Sequence, residues 1–154
     1  MEQIQRPISE FLKERSWPEL APTASVADAL EAMNRTGLDC VLIVEDERLT
    51  GIFTGRDFLH RIAAERRPPG DVRLADVMTP EPEVLKRHYD VCYAINRMAV
   101  RAIRRLPVVD DERRPVGLLM MWDVIAHLDD VFDDLLGDPP DPPTADLWLD
   151  LGGG

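Results

Sequence analysis

The sequence predicts an α/β (α+β) protein built from two like units, each running helix, short strand, helix, strand, strand, helix. Three observations carry this. Val26, Ala29 and Met33 recur 65 residues later as Val91, Ala94 and Met98. Val44-Glu45-Asp46 recurs as Val109-Asp110-Asp111 at the same offset, and Gly51 and Asp57 recur as Gly117 and Asp123 at 66, which places one inserted residue near Arg114. Upstream, Ile8-Ser9-Glu10-Phe11-Leu12 matches Leu74-Ala75-Asp76-Val77-Met78 by residue type, again at 66. A duplication of this length implies two units packed together with a cleft between them.

Each element has its own local reason. Ser25 caps the first long helix, with Asp28 three residues on as its capping-box partner. Val26, Ala29, Leu30 and Met33 then fall on one helical face, and Gly37 ends the helix. Cys40 to Val44 is a short, nearly continuous apolar run and predicts a buried strand. Glu45 to Arg48 make the turn, Thr50 to Thr54 return as a second strand, and Phe58, Leu59 and Ile62 give a third helical face.

The second unit repeats the order. Asp90 caps the helix of Val91, Ala94, Ile95 and Met98; Leu106 to Asp110 is strand and turn; Val116 to Leu119 returns. Pro107 lacks an amide donor, so it belongs at the first residue of its strand or on an edge. Val124, Ile125 and Leu128 begin the last helix, which helical spacing extends through Leu136. Gly137 to Pro143 reads as an extended linker, and Asp146 to Leu151 alternates acidic and apolar residues in a tail of disordered composition. The units are thus expected over 6–67 and 74–128, with a linker at 68–73 and an acidic tail at 129–154.

Composition narrows the class. The chain has 154 residues, 45% hydrophobic and 31% charged, which is globular. No apolar run approaches the roughly 20 residues needed to span a bilayer. Met1-Glu2-Gln3 lacks the basic start and apolar core of a signal peptide. A cytoplasmic protein without membrane attachment is expected. The net charge is −11, and residues 129–154 hold eight aspartates and no lysine or arginine. That balance argues against nucleic acid polymers, though not against a small anion in a local basic pocket. Cys40 and Cys92 read as buried thiols, and His60, His88 and His127 lack metal-ligand spacing, so no metal is expected. There is no Ser/His/Asp or Cys/His grouping, P-loop or dinucleotide fingerprint, so the expectation is a protein that is not an enzyme.

Thr54-Gly55-Arg56-Asp57 lies where a strand ends and a helix begins. One reading is an ordinary capping box, worth about 1 kcal/mol. The other uses the same geometry for a ligand. The free amides of a helix start and a threonine hydroxyl suit a phosphate, a neighbouring carboxylate can accept both hydroxyls of a ribose, and Arg56 adds a charged donor.

Together, the duplication, Gly51 to Asp57, Asp76-Val77-Met78-Thr79-Pro80 and Ile103 to Asp110 resemble a tandem pair of CBS (cystathionine β-synthase) domains, a Bateman module, over residues 6–128. The resemblance implies two β-α-β-β-α repeats packed through their sheets with pseudo-twofold symmetry. It also implies up to two clefts for adenosine compounds: AMP, ADP, ATP or S-adenosylmethionine. It assigns phosphate contact to Thr54 and ribose contact to Asp57, with Ile52 and Phe53 walling the cleft and backbone near Leu20, Ala21 and Pro22 meeting adenine.

The second copy departs from that pattern. Met120 replaces the hydroxyl and Trp122 stands where Arg56 stands, so Asp123 is expected to become the helix cap itself, with at most a weak second site. Met120, Met121 and Trp122 read as core or dimer interface. Arg97, Arg101, Arg104 and Arg105 form a basic group, read either as a solvated face or as a dock for a polyphosphate or for the acidic tail. The functional expectation is a regulatory homodimer that senses an adenosine-containing small molecule through one competent cleft per chain and signals to a protein partner. The alternative is a ligand-free interaction or scaffold module using its helical faces and acidic tail.

Overall fold

The computed structural model describes residues 6–126. A 3₁₀ turn at Ile8–Glu10 leads to β1 (Glu19–Leu20), α1 (Val26–Thr36), β2 (Cys40–Glu45), β3 (Arg48–Thr54) and α2 (Gly55–Phe58), which continues as a π-helical turn at Leu59–Ala63. A second 3₁₀ turn (Pro69–Asp71), α3 (Leu74–Val77) and β4 (Thr79–Pro80) connect to α4 (Val91–Arg101), β5 (Arg105–Val109) and β6 (Pro115–Met120). A last helix, α5, is described over 121–126. The readings that concern His127, Leu128 and the tail at 129–154 lie outside the described residues.

The first sheet has the order β1-β2-β3-β4, with β1 parallel to β2 and the other pairs antiparallel. The second is the antiparallel pair β5-β6, to which Leu85 adds a parallel bridge at Val108. That bridge repeats the pairing of Leu20 with Ile43 in the first unit.

Strand alternation builds three apolar layers. Cys40, Leu42, Leu49 and Ile52 of the first sheet meet Val109 and Leu118 of the second, so the sheets pack face to face. The opposite faces carry Val41, Ile43 and Phe53 beneath Val26, Ala29 and Met33 of α1, and Leu106, Val108 and Leu119 beneath Val91, Ala94 and Met98 of α4. Cover on both sides is why Cys40 to Ile43 carries no polar residue. Each fully buried large aliphatic side chain adds about 1.5–3 kcal/mol to this core.

The two units are interlocked. Leu74 and Val77 of α3, at the start of the second unit, complete the first core, while Ile8 and Phe11, at the start of the first, complete the second. Two glycines make the exchange possible. A Cβ on Gly51 would lie 2.3 Å from Met78 Sδ, and one on Gly117 would lie 2.8 Å from Leu12 Cδ1.

Several local expectations change. β3 begins at Arg48, because Asp46 and Glu47 both take positive φ (49° and 63°) and close a two-residue hairpin. Asp90 sits at the N-cap of α4, but its side chain makes no capping bond. Pro107 lies mid-strand, not at the first residue, but on an edge strand of the two-stranded sheet, as its missing amide requires, and the amide of Leu85 reaches its carbonyl at 2.9 Å. Cys40 is buried, and burial pushes its thiol up to about 12, but Cys92 is exposed because it follows the core position Val91 on the solvent side of α4. Met120 and Met121 are half-buried and Trp122 is exposed, so none of the three belongs to the core of the single chain.

Candidate functional site

The end of β3 delivers Thr54 in extended conformation directly to the first turn of α2. Thr54 Oγ1 accepts the Asp57 amide at 3.3 Å, and Asp57 Oδ2 accepts the Thr54 amide at 2.9 Å and its hydroxyl at 2.8 Å. The capping box is therefore complete. Asp57 Oδ1 faces Arg61 Nη2 at 3.4 Å. Arg61 also donates to the Met78 carbonyl at 2.9 Å and to Thr79 Oγ1 at 3.4 Å, which ties α2 to β4.

Beside this turn lies a cavity of about 770 Å³, within the range of small-molecule sites. Ile52, Thr54, Arg56 and Asp57 form its first wall, and Thr79 of β4 with Glu81 to Glu83 just beyond it form its second. Arg97 and Arg101 of α4, with Arg104, Arg105 and Pro107, form the third, and Asp39 closes the corner before β2. The cavity thus lies between the two units and is rich in arginine.

The charges are partly paired. Glu83 binds Arg97 and lies 3.6 Å from Arg101 Nε, and its hydrogen bond holds the Arg97 guanidinium above its ordinary value. Arg105 Nη2 binds Asp39 across the two units. Burial pushes the Arg105 guanidinium down, and its Nε is buried with no hydrogen-bond partner among the described residues. Such a group costs roughly 1–3 kcal/mol where it stays unsatisfied. Arg56 and Arg104 are exposed, and their side chains have no partner among the described residues.

The expected ligand residues divide. Ile52, Thr54, Arg56 and Asp57 converge on the cavity, as do the four arginines of the basic group. Phe53 does not: strand alternation turns it away from Ile52 into the core under α1, where it is fully buried. Ala21 and Pro22 also lie outside the lining, since β1 occupies the opposite edge of the sheet from β4. Their carbonyls are taken by the amides of Ala24 and Ala75 at 3.0 and 2.9 Å. Asp39, Thr79, Glu81 and Glu83 join the site unannounced, because tertiary packing alone brings them there.

Asp123 has a different setting. It is not the helix cap. It stands three residues inside α5, where Asp57 stands in α2, and its Oδ2 accepts the Met120 amide at 3.1 Å. With methionine at the cap position, only the carboxylate half of the box remains. Oδ1 is bound by Arg15 and lies 3.5 Å from Lys13 Nζ. The side chain is 3% exposed, against 12% for Asp57.

These features define a tandem-repeat α/β module with a cavity between its repeats. The CBS domain family model matches residues 15–64 and 74–130, and the chain belongs to that family. The meiotically up-regulated gene 70 protein of Schizosaccharomyces pombe is 30% identical over 105 residues, which cover 68% of this chain and 14% of that protein. The chain spans 54% of the length of another curated relative. A CBS domain protein from Pyrobaculum aerophilum, solved with AMP, superposes with a TM-score of 0.73 at 22% identity, covering 82% of this chain and 98% of that one. The CBS domain pair of protein MJ0100, solved with 5′-methylthioadenosine and S-adenosyl-L-methionine, gives 0.72 at 20% identity over the same shares. At these identities the structures establish the shared fold. No helix among the described residues is long and apolar enough to cross a membrane.

Proposed function

We propose that the chain is a regulatory module that binds an adenosine-containing ligand, an adenine nucleotide or S-adenosylmethionine, in the cleft between its repeats. One observation carries the reading: Thr54 and Asp57 face a bounded cavity whose far wall is a group of arginines. Asp57 takes the ribose hydroxyls through Oδ1, with Arg61 yielding or shifting, while Thr54 and Arg56 face the 5′ substituent. The adenosine ligands of structural neighbours support this ligand class. A ligand that touches both units at once favours one relative pose of the repeats, and it shifts that pose only by its difference in affinity for the two arrangements. A homodimer, the commonest symmetric assembly, would pass the change to a protein partner.

A thermal-shift panel of AMP, ADP, ATP and S-adenosylmethionine tests the reading. At 100 times its dissociation constant a ligand adds about 2.7 kcal/mol, on the order of 5–10 °C for a chain of this size. The completed capping box favours one competing account, in which Thr54 and Asp57 only cap α2 and the module is a ligand-free scaffold. Absence of any shift across the panel would decide for the scaffold.

A further inference from the structure

Two backbone contacts align the cavity corner across the repeats. The Gly55 amide donates to the Asp39 carbonyl at 3.0 Å, and the Met121 amide donates to the Arg104 carbonyl at 2.9 Å. Next along the chain, Cys40 pairs with Thr54 and Arg105 pairs with Met120. Asp39-Cys40 of the first unit therefore corresponds to Arg104-Arg105 of the second.

Cys40 is fully buried, so the fold encloses this position, yet the second unit places a guanidinium there. Packing does not explain that choice. The Arg105 side chain is 17% exposed, and its Nε has no partner among the described residues. Its bond to Asp39 leaves most of its five donors unused. A buried donor left in this state calls for a reason. A phosphate supplies one, because two of its oxygens can engage the planar fork at once.

Resting on the adenosine reading of this cavity, we propose that Arg105 selects a phosphate-bearing ligand and that Asp39 is an internal anion holding the guanidinium until phosphate displaces it. Asp39 is suited to leave, since its side chain is 59% exposed and water can solvate it when released. Arg104 stands beside Arg105 on the cavity wall and adds a second cation to the same phosphate. Adenosine carries no charge to compete with Asp39. S-adenosylmethionine carries a cationic sulfonium where AMP carries its phosphate, and its one carboxylate lies at the far end of the methionyl chain, so it offers the arginines no anion at that place. Because Asp39 belongs to one repeat and Arg105 to the other, phosphate binding also cuts a tie between the repeats.

Calorimetry with AMP, adenosine and S-adenosylmethionine on wild type, Asp39→Asn and Arg105→Met tests this. Wild type should bind AMP about tenfold or more tighter than either other ligand, as charge-assisted contacts to phosphate predict. Arg105→Met should reduce that preference several-fold and leave adenosine affinity unchanged, and an undiminished preference would overturn the proposal. Asp39→Asn, at an exposed and isosteric position, should tighten AMP by roughly threefold or more with adenosine unchanged, since the competing anion is gone. Equal binding of AMP and adenosine by wild type would overturn the proposal while leaving the adenosine site intact. So would a weaker AMP complex in Asp39→Asn, a result that stands even if Arg105→Met fails to fold. If none of the three binds wild type, the adenosine reading falls and this proposal with it.

Discussion

Asp57 and Asp123 are counterparts, related by a 66-residue offset and by the amide each accepts at the start of its helix. The first borders a cavity; the second is clamped by Arg15 with Lys13 nearby. The difference does not originate in the motifs alone. Counting three residues on from Met78 and Leu12, which Gly51 and Gly117 seat, Arg15 corresponds to Glu81. Glu81 cannot pair with a carboxylate; it pairs with Arg113 at 2.9 Å, away from Asp57. The segment that each repeat receives from the other's leader therefore distinguishes an aspartate left facing a cavity from one held in a structural ion pair.

The largest effects expected are those that separate these two aspartates. Asp57→Ala removes two charge-assisted hydrogen bonds to ribose, a loss of about 3 kcal/mol or roughly a hundredfold in affinity. Asp123→Ala leaves that affinity unchanged and lowers stability instead, by about 2–3 kcal/mol, because Arg15 and the Met120 amide lose their buried partner. Calorimetry and thermal melts on both variants check this, and wild type should titrate with one site per chain. Two equivalent sites would show that the Arg15 clamp opens and that the contrast is false.

A smaller effect tests the exchange of leader segments. Gly51→Ala forces its Cβ against Met78, and Gly117→Ala forces its own against Leu12. Overpacking of this kind costs about 1–3 kcal/mol. Gly51→Ala should stand at the upper end, since Met78 Cγ also lies at 3.0 Å and the whole side chain must move. The Gly117 contact is the tip of a leucine, which can turn aside. Denaturant midpoints of the two variants measure the difference, and equal midpoints would mean that the leaders are held equally loosely.

Much of this architecture is legible in the chain. Spacing alone places Val26 to Met33 and Val91 to Met98 on buried faces, and the apolar run at Cys40 follows from a strand covered twice. The period-2 rule also contained the answer for Phe53, since neighbours in a strand point to opposite faces and Ile52 and Phe53 cannot both wall one cleft. Glu81 for Arg15 is likewise visible as a charge reversal at the repeat offset, once the leaders are aligned. The Asp39–Arg105 tie is not. It joins residues 66 apart through a sheet-on-sheet packing whose rotation no local pattern encodes. Arg97 and Arg101 signal a basic group at helical spacing, but their common partner Glu83 lies between β4 and α4 and carries no motif.

The smallest expected difference bears on the oldest ambiguity of Thr54-x-x-Asp57. Ser25 and Asp28 form the same complete capping box at the start of α1, with Ser25 Oγ accepting the Asp28 amide at 3.1 Å. That box is outside the cavity lining and serves as an internal control. Ser25→Ala and Thr54→Ala should each cost about 1 kcal/mol of stability, the ordinary worth of a cap. Only Thr54→Ala should also weaken AMP, by roughly tenfold for one lost phosphate hydrogen bond. The control has its own signature in acid. The Ser25 hydroxyl and amide hold the Asp28 carboxyl below its ordinary 3.8, so its stabilisation is present above that value and is lost as pH falls through the lower folded-state value. Ser25→Ala should flatten that acid limb of the stability profile without touching AMP affinity. If Ser25→Ala and Thr54→Ala weaken AMP equally, loss of a cap anywhere in the fold suffices, and Thr54 has no phosphate role of its own.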